Sequence, residues 1–406
     1  MKIHAMGKPR LHLGQILPKK QRKFSTFPLD QKGSYYFFSA RYALAAAIKA
    51  LGLNHGDKIL VPSYNCGTEV DPILHLNVRP VFYRIKKDLS ADMDDLQNKI
   101  NDGVKAILVT HFLGFPQPID EVKRICIEKD LFLIEDCAHA FLSTKNGSYL
   151  GSYGDVAIFS LLKTLPVPNG GILTLNNERL CYKNPFSKPR FFPTLLYAGE
   201  LLKPKVNGNN NWVREKIERF LCRGVSLCVK SSRFVLARYG KFFNGKGLFL
   251  VRPDSSLFLK ELCTWGISGL TRNIINETDF EKVKATRRAN FEYLLNHFLK
   301  KDPGILLLQE LPAGVCPLFF PIILESPERS KGLWEILKNR GIIMFRWWQF
   351  HPEVPWDEFP DAVYLKTRLL GLPVHQDLSF AHLDCIIEEL EKGYQSRTTQ
   401  SSTFVF

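Results

Sequence analysis

Short apolar strands alternate with helical segments between residues 39 and 180, and this alternation constrains the fold more than any other feature of the chain. The apolar runs are rich in Val, Ile and Leu, which is typical of strands buried on both faces of a parallel sheet. The alternation therefore predicts an α/β fold with a mostly parallel central sheet covered by helices. The predicted strands are 58–62, 80–85, 106–110, 131–134, 156–160 and 171–175, and the predicted helices between them are 39–51, 69–76, a segment capped by Ser90, and 119–129.

The remaining parts of the chain differ from this region in composition. Residues 1–30 form a basic arm, and the large domain predicted for 31–265 contains a basic, helix-rich insert at about 185–262. Further helical and strand patterns predict a smaller α+β domain over 266–395. Residues 396–406 are predicted to form a frayed tail.

The net charge of +15 is concentrated in two segments. Residues 1–23 carry +7 and residues 188–247 carry +10, which leaves −2 for the rest of the chain. Within the insert, residues 213–241 place basic side chains opposite apolar ones on a helical wheel. This pattern predicts either a helix that contacts an anionic membrane surface or one that packs on the body with a solvated basic face. No nucleic-acid-binding motif accompanies the charge, so no nucleic-acid partner is expected.

The cysteines and the apolar runs indicate the compartment. Nine cysteines are scattered without a CxxC pair, which argues against a disulfide scaffold or a zinc ribbon, and no metal is expected. No uncharged apolar run reaches 18 residues, so no membrane-spanning helix is expected. The basic N-terminal residues lack the apolar segment of a secretory signal. Together these features predict a cytoplasmic protein, with peripheral membrane contact as the alternative.

Four polar residues follow two of the predicted strands within a span of 28 residues. Asp136 and His139 come at the end of the strand at 131–134, and Ser160 and Lys163 come at the end of the strand at 156–160. Ligands of parallel sheets bind beyond the carboxyl ends of the strands, where these side chains are expected to meet.

Pyridoxal phosphate chemistry needs this combination of groups. A lysine amine forms a Schiff base with the cofactor aldehyde, and a carboxylate keeps the pyridine nitrogen protonated. A hydroxyl group and a helix N-terminus bind the phosphate, and Ser160 and the start of the helix at 39–51 offer both. Taken singly, each residue also fits an ordinary role as a cap, a solvated lysine or a core histidine.

Several segments resemble the DegT/DnrJ/EryC1/StrS family of sugar aminotransferases, which are fold-type-I enzymes that depend on pyridoxal phosphate. The likeness covers much of residues 30–180 and returns over 266–393. Any single segment is a weak signal, whereas the whole set is a strong one. The segments are GDKILVPSYNCGTEVDPIL, RPVFYRI, AILVTHFLGFPQPID, FLIEDCAHA, YLGSYGDVAIFS and, near the C-terminus, GLPVHQDLSFAHLDCIIEEL.

The resemblance implies a role for each candidate residue. Lys163 matches the Schiff-base lysine and general base, and Asp136 matches the partner of the pyridine nitrogen. His139 matches the residue beside the ring and its phenolic oxygen, and Ser160 matches a phosphate ligand. Three more cofactor-binding residues follow from the same likeness: Ala40 and Arg41 at the phosphate-binding turn, and Cys66 at the position of the ring-stacking aromatic residue.

The chain departs from the family pattern at several of these positions. Ser160 and Lys163 are three residues apart, where the family has five, and Arg41 replaces a threonine. Tyr64 or Asn65, instead of Cys66, are alternatives for covering the ring. The nearest counterpart of the segment that completes the partner subunit's site is 271–273. Four further residues line the substrate side or form part of the small-domain core: Trp347, Trp348, His351 and His375.

The resemblance implies a homodimeric enzyme that moves an amino group from glutamate to a keto sugar linked to a nucleotide. Such an enzyme makes amino sugars for surface polysaccharides or secondary metabolites. The retained Lys163 favours transamination over the dehydration that members with histidine at this position perform. Two alternatives stay open at this point: a non-catalytic relative that acts as a regulator or membrane scaffold, and another lysine-dependent pyridoxal phosphate enzyme such as a lyase.

Overall fold

The computed structural model describes residues 8–15, 26–183, 187–189, 194, 197–198, 201, 258–347 and 349–395. The predicted amphipathic helix at 213–241, most of the basic arm and of the insert, Trp348 and the tail at 396–406 lie outside the described residues. No helix among the described residues is both long enough and apolar enough to cross a membrane.

A seven-stranded sheet forms the centre of the N-terminal half, in the order β1-β9-β8-β5-β4-β2-β3. The five strands from β8 to β3 run parallel to their neighbours, whereas β9 is antiparallel to β8 and β1 is antiparallel to β9. The prediction of a mostly parallel sheet is therefore confirmed. The strands among the described residues are β1 (Ser34–Phe37), β2 (Lys58–Pro62), β3 (Arg79–Tyr83), β4 (Val104–Thr110), β5 (Phe132–Asp136), β6 (Thr144–Lys145), β7 (Ser148–Tyr149), β8 (Val156–Ser160), β9 (Gly171–Leu175), β10 (Phe319–Ile323) and β11 (Leu369–Pro373).

Helices cover the sheet because their apolar faces pack against the Val-, Ile- and Leu-rich strands. The alanine-rich α1 is buried along most of its length and packs on β8 and β9. In the ranges 26–183 and 258–395, the α-helices that the structure describes are α1 (Ala40–Ala50), α2 (Val70–His75), α3 (Met93–Asn98), α4 (Ile119–Glu128), α5 (Leu161–Thr164), α6 (Gly269–Glu277), α7 (Phe280–Lys301), α8 (Pro327–Asn339), α9 (Pro360–Arg368) and α10 (Phe380–Gln395). Short 3₁₀ turns occur at Leu13–Gln15, Phe112–Gly114, Lys260–Leu262, Pro303–Ile305 and Trp356–Glu358.

The prediction that Ser90 caps the third helix was wrong. The cap is Asp92, whose carboxylate accepts a hydrogen bond from the Asp95 N–H, while the Ser90 hydroxyl donates to Asp88. Both Ser and Asp are good capping residues, and here Asp92 is the one that stands in the extended conformation directly before the helix.

The C-terminal part of the chain is smaller and is built around β10 and β11, which pair antiparallel. The helices α7, α8 and α10 enclose an apolar core against these two strands. Phe319 and the residues around Phe345 reach from this part towards the carboxyl edge of the seven-stranded sheet. That edge carries the candidate site.

Candidate active site

A cavity of about 320 Å³ lies where four parallel strands end. Thr110, Asp136 and Ser160 are the last residues of β4, β5 and β8, and the loop after β2 contributes from a fourth strand. The N-terminus of α1 closes one side, and aromatic residues of the C-terminal part close another. This placement follows the rule that parallel sheets bind ligands beyond their carboxyl ends.

All seven residues that the sequence predicted for the site line this one cavity. They are Ala40, Arg41, Cys66, Asp136, His139, Ser160 and Lys163. Lys8 of the basic arm also lines it, and its ammonium group donates to the Tyr197 hydroxyl at 3.2 Å.

Asp136 is buried at the end of β5, and its Oδ1 accepts the Ala138 N–H at 2.8 Å. Burial and the nearby carboxylate of Glu69 raise the pKa of Asp136 to about 6, while Lys163 and the Ala138 N–H act in the opposite direction. A buried carboxylate with a raised pKa lacks a sufficient positive partner. The cavity therefore favours a cationic group beside Asp136.

His139 faces the cavity with one nitrogen bonded and the other without a partner. Its Nδ1 accepts the Leu113 N–H at 3.3 Å, so the proton of the neutral ring lies on Nε2. Burial, helped by the charge of Lys163, lowers the pKa of His139 well below its usual value and keeps the ring neutral. No described residue bonds the buried Nε2. The ring packs at 4.9 Å from Trp347, with an angle of 39° between the planes.

Lys163 lies on the short helix α5, directly after Ser160 ends β8. Its Nζ is 5.7 Å from the centre of the Trp347 ring. The short turn thus places the amine over the same aromatic residue that packs against His139. Trp347 itself lines the cavity, which favours the interpretation that it lies on the ligand side.

The N-terminus of α1 enters the cavity without its usual side-chain cap. Ser39 occupies the cap position, but its hydroxyl bonds no described residue although it is buried. Gly171 lets this turn approach β9, because a Cβ there would lie 2.3 Å from the carbonyl carbon of Ser39. Helix N-termini with free N–H groups attract anions, and Arg41 in the first turn adds positive charge.

The residues present fit pyridoxal phosphate. Three buried polar atoms of the cavity have no partner among the described residues: Ser39 Oγ, Thr110 Oγ1 and His139 Nε2. Buried polar groups are normally hydrogen-bonded, so a polar ligand is expected to satisfy them. An amine, a carboxylate that lacks a cation and an anion-binding helix start match the aldehyde, ring nitrogen and phosphate of this cofactor.

The loop after β2 contributes a cluster that the sequence did not reveal. Glu69 accepts hydrogen bonds from the Cys66 N–H at 3.2 Å and from the Cys66 thiol at 3.1 Å. The Thr68 hydroxyl lies 2.9 Å from the same sulfur. Burial and Glu69 raise the pKa of Cys66 to about 11. A signal for Glu69 existed, because it follows the end of β2 by only seven residues.

Of the three residues proposed to cover the ring, Cys66 alone lines the cavity. Tyr64 is buried behind it and packs at 4.9 Å from Trp347. The side-chain amide of Asn65 is used within its own loop, where it donates to the Pro62 carbonyl and accepts from the Gly67 N–H.

Four other predicted residues lie away from the cavity. Thr271 is buried and donates to the Asn169 side chain at 2.6 Å, and Arg272 beside it is exposed. His375 is buried in the C-terminal part, and its Nδ1 accepts the Asp377 N–H. His351 pairs with Asp71 at 3.2 Å and borders a second cavity described below.

Beside the site, Glu135 forms a separate buried cluster with His111. The His111 Nδ1 accepts the Gln117 N–H, so its Nε2 carries the proton that Glu135 accepts at 3.0 Å. Glu135 also accepts three backbone N–H groups, from Gly151, Tyr153 and Gly154. Cys137 completes a group whose ligand atoms lie within 4.8 Å of one another. Within this group, both carboxylate oxygens of Glu135 already accept two hydrogen bonds each.

The sequence and the fold are similar to those of known aminotransferases. Residues 17–185 match the model of the DegT/DnrJ/EryC1/StrS aminotransferase family. The chain is 32% identical to GDP-perosamine synthase of Vibrio cholerae over 168 residues, which is 41% of the chain and less than half, 46%, of that protein. It is 24% identical to dTDP-4-dehydro-2,3,6-trideoxy-D-glucose 4-aminotransferase of Saccharopolyspora spinosa over 92% of the chain and 88% of that enzyme.

A solved structure extends the likeness to the whole fold. The PLP form of Spr1654 from Streptococcus pneumoniae superposes with a TM-score of 0.62 at 16% identity, over 89% of this chain and 87% of that one. The chain therefore has the fold-type-I architecture predicted from its sequence. Over residues 17–185, the chain is therefore similar to the DegT/DnrJ/EryC1/StrS aminotransferase family.

Proposed function

We propose that the protein is a pyridoxal-phosphate-dependent aminotransferase that moves an amino group from glutamate to a keto sugar carried on a nucleotide. The observation that carries this proposal is the convergence of Lys163, Asp136 and His139 on one cavity with the N-terminus of α1. When bound, the cofactor supplies an aldehyde for amines and a ring that takes up the electrons left by removal of a C–H proton.

Each residue has a distinct task in this proposal. The Lys163 Nζ holds the cofactor and takes and returns the proton as general base. Asp136 pairs with the protonated ring nitrogen, which gives the buried carboxylate the positive partner that it lacks. His139 donates from Nε2 to the ring oxygen, since that nitrogen carries the proton and has no other described partner.

The phosphate is assigned to the turn before α1. Ser39, Ala40 and Arg41 supply a hydroxyl, N–H groups and a guanidinium, and Ser160 supplies a second hydroxyl from the end of β8. Cys66 lies at the wall where the family has a ring-stacking aromatic residue, and Trp347 contributes an aromatic surface on the same cavity. Aromatic residues of the C-terminal part line the same cavity, and such a lining favours the exclusion of water from the reacting atoms.

The substrate class rests on the relatives. The two relatives named above carry names of a GDP-sugar and a dTDP-sugar enzyme, and the spore coat polysaccharide biosynthesis protein SpsC of Bacillus subtilis is 30% identical over 176 residues. We extend this class to the present chain, with a product that enters a surface polysaccharide or a secondary metabolite.

The test is a spectrum of the purified protein with pyridoxal phosphate, followed by addition of L-glutamate. We expect a violet absorbance band that glutamate bleaches and that a nucleotide-linked keto sugar restores. Lys163→Ala is expected to lose the band. A wild-type protein without such a band would favour the non-catalytic alternative, and a band that glutamate leaves unchanged while a sugar is degraded would favour a lyase.

The assembly and the location are further parts of the proposal. We propose a homodimer in the cytoplasm, with the domain division at about 30, 265 and 395 expected from the sequence. The basic segment at 213–241 is proposed to contact anionic lipid, on the grounds of its sequence pattern. Analytical ultracentrifugation tests the dimer. Co-sedimentation with anionic liposomes that is unchanged by deletion of 213–241 would exclude the membrane contact.

A further inference from the structure

A second, more open cavity of about 370 Å³ adjoins the candidate active site. Cys66, Thr68 and Gln349 line both cavities, so these three residues form the partition between them. Cys66 and Thr68 come from the loop after β2, whereas Gln349 comes from the C-terminal part of the chain. The partition is thus assembled from two distant segments, and something must fix their relative position.

Lys366 on α9 joins the two segments. Its Nζ donates to the Asn65 carbonyl at 2.6 Å and to the Gln349 carbonyl at 2.5 Å. Asn65 directly precedes Cys66, so a single ammonium group binds the backbone of both segments that form the partition. Hydrogen bonds from a charged donor are about twice as strong as neutral ones.

The burial of Lys366 indicates that its contacts are specific. The residue is 1% exposed, and lysine is almost never fully buried without partners. Three aromatic rings surround its Nζ: Trp356 at 4.9 Å, Phe350 at 5.3 Å and Tyr64 at 5.9 Å. Such rings attract a cation with their faces. Burial lowers the pKa of Lys366 to about 8, while the nearby Cys66 and Glu69 side chains act in the opposite direction.

The loop that Lys366 holds is also packed closely against His351. Gly67 has a φ of +84°, and a Cβ at this position would lie 2.9 Å from the His351 ring, which also lines the second cavity. His351 is itself held by Asp71 at 3.2 Å. The loop therefore has little freedom to change its position without loss of these contacts.

We infer that Lys366 is a positioning residue that clamps the loop after β2 to the Gln349 segment and so fixes the wall between the two cavities. Lys366 does not line the cavity of the candidate active site, and it acts through Cys66, Thr68 and Gln349. Its consequence for catalysis rests on the proposed function. The part of a substrate that projects beyond the reacting atoms must pass this wall to reach the second cavity.

Hydrogen exchange of the full-length Lys366→Met variant tests the clamp without any ligand. We expect peptides that cover 63–69 and 349–352 to exchange at least about tenfold faster, because two charge-assisted bonds are lost. The peptide that covers β5 is expected to exchange as in the wild type. Unchanged exchange at 63–69 would overturn the inference, and faster exchange everywhere would show a structural role without positioning.

Lys99→Met is the matched control. Lys99 also donates to a carbonyl, that of Phe82 at 2.6 Å, and lies 4.6 Å from an aromatic ring, that of Phe359, but it lines neither cavity. We expect exchange at 63–69 to stay at the wild-type rate in this variant. If Lys366→Met does not fold, Lys366→Gln, which keeps two donors without the charge, is expected to give a smaller acceleration at the same peptides.

A kinetic readout separates the clamp from the chemistry. In Lys366→Met with pyridoxal phosphate, the absorbance band that depends on Lys163 is expected to persist, because Asp136 and His139 are not in contact with the clamp. The concentration of a nucleotide-linked keto sugar for half-maximal restoration of the band is expected to rise at least about tenfold, with a limiting rate near that of the wild type. A wild-type protein without the band would contradict the proposed function, while the exchange result would still decide the role of Lys366.

Discussion

Two carboxylates that are neighbours in sequence, Glu135 and Asp136, have opposite surroundings at the end of β5. Glu135 accepts hydrogen bonds from three backbone N–H groups and from His111. Asp136 accepts one backbone N–H, faces the carboxylate of Glu69 and has a raised pKa. Successive residues of a strand face opposite sides of a sheet. Glu135 therefore stabilises the fold, while its neighbour Asp136 is available to a ligand.

The first way to test this contrast is to neutralise Asp136. In Asp136→Asn, the rate of the glutamate-dependent loss of the absorbance band is expected to fall by a factor of about 10²–10⁴, because an amide does not keep the ring nitrogen protonated. Stopped-flow absorbance measures the rate. At pH 7 the free energy of unfolding without cofactor is expected to stay equal or to rise, because the buried charge of Asp136 opposes folding. A large loss of stability together with full activity would reverse the two roles.

Neutralising Glu135 is expected to have the opposite outcome. Each oxygen of Glu135 accepts from two donors, so in Glu135→Gln one pair of donors would face an NH₂ group. We expect the free energy of unfolding to fall by about 3 kcal/mol, measured by urea denaturation. A stability equal to that of the wild type would show that Glu135 is not a structural carboxylate.

The pH dependence of stability gives a third comparison. The folded-state pKa of Asp136 is about 6, above its ordinary value of 3.8, so the folded protein binds this proton more tightly than the unfolded chain. The contribution of Asp136 to stability is therefore present below about pH 4 and is lost as the pH rises through about 6. The loss amounts to at most about 3 kcal/mol. Denaturation of the cofactor-free protein between pH 4 and 6.5 should show this slope in the wild type and lack it in Asp136→Asn.

The smallest effect is expected from neutralising Glu69, whose charge is the second cause of the raised pKa of Asp136. Glu69→Gln removes the negative charge that helps burial to raise the pKa of Asp136. The pH at which the Asp136 contribution is lost is therefore expected to move towards 3.8, as measured by the same denaturation series. Because burial is the larger cause, most of the shift should remain. A midpoint that does not move would place the Glu69 charge outside the reach of Asp136.

The sequence predicted the parts of the site that depend on strand ends. The apolar runs locate the strands, and a parallel sheet brings the residues after β5 and β8 to one edge, so Asp136, His139, Ser160 and Lys163 could be identified. The edge strand β1 escaped prediction because Ser34–Phe37 is a short, half-exposed polar and aromatic run that joins the sheet by antiparallel pairing with β9.

The residues that reach the site through tertiary packing could not be predicted in the same way. Lys366 lies 301 residues from Asn65, and nothing in the helix around it indicates that its ammonium group is buried. The covering role of Trp347 likewise depends on how the C-terminal part packs on the sheet edge. The sequence around a strand end does not indicate which distant segment of the chain will pack over it.

The central claim is that Lys163, and no other lysine, holds the cofactor in the cavity beside Asp136. Borohydride reduction of the protein loaded with pyridoxal phosphate, followed by mass spectrometry of its peptides, tests this directly. The account predicts a single phosphopyridoxyl group on the peptide that contains Lys163, and none in Lys163→Ala. A group on another lysine, or an unmodified wild-type protein, would contradict it.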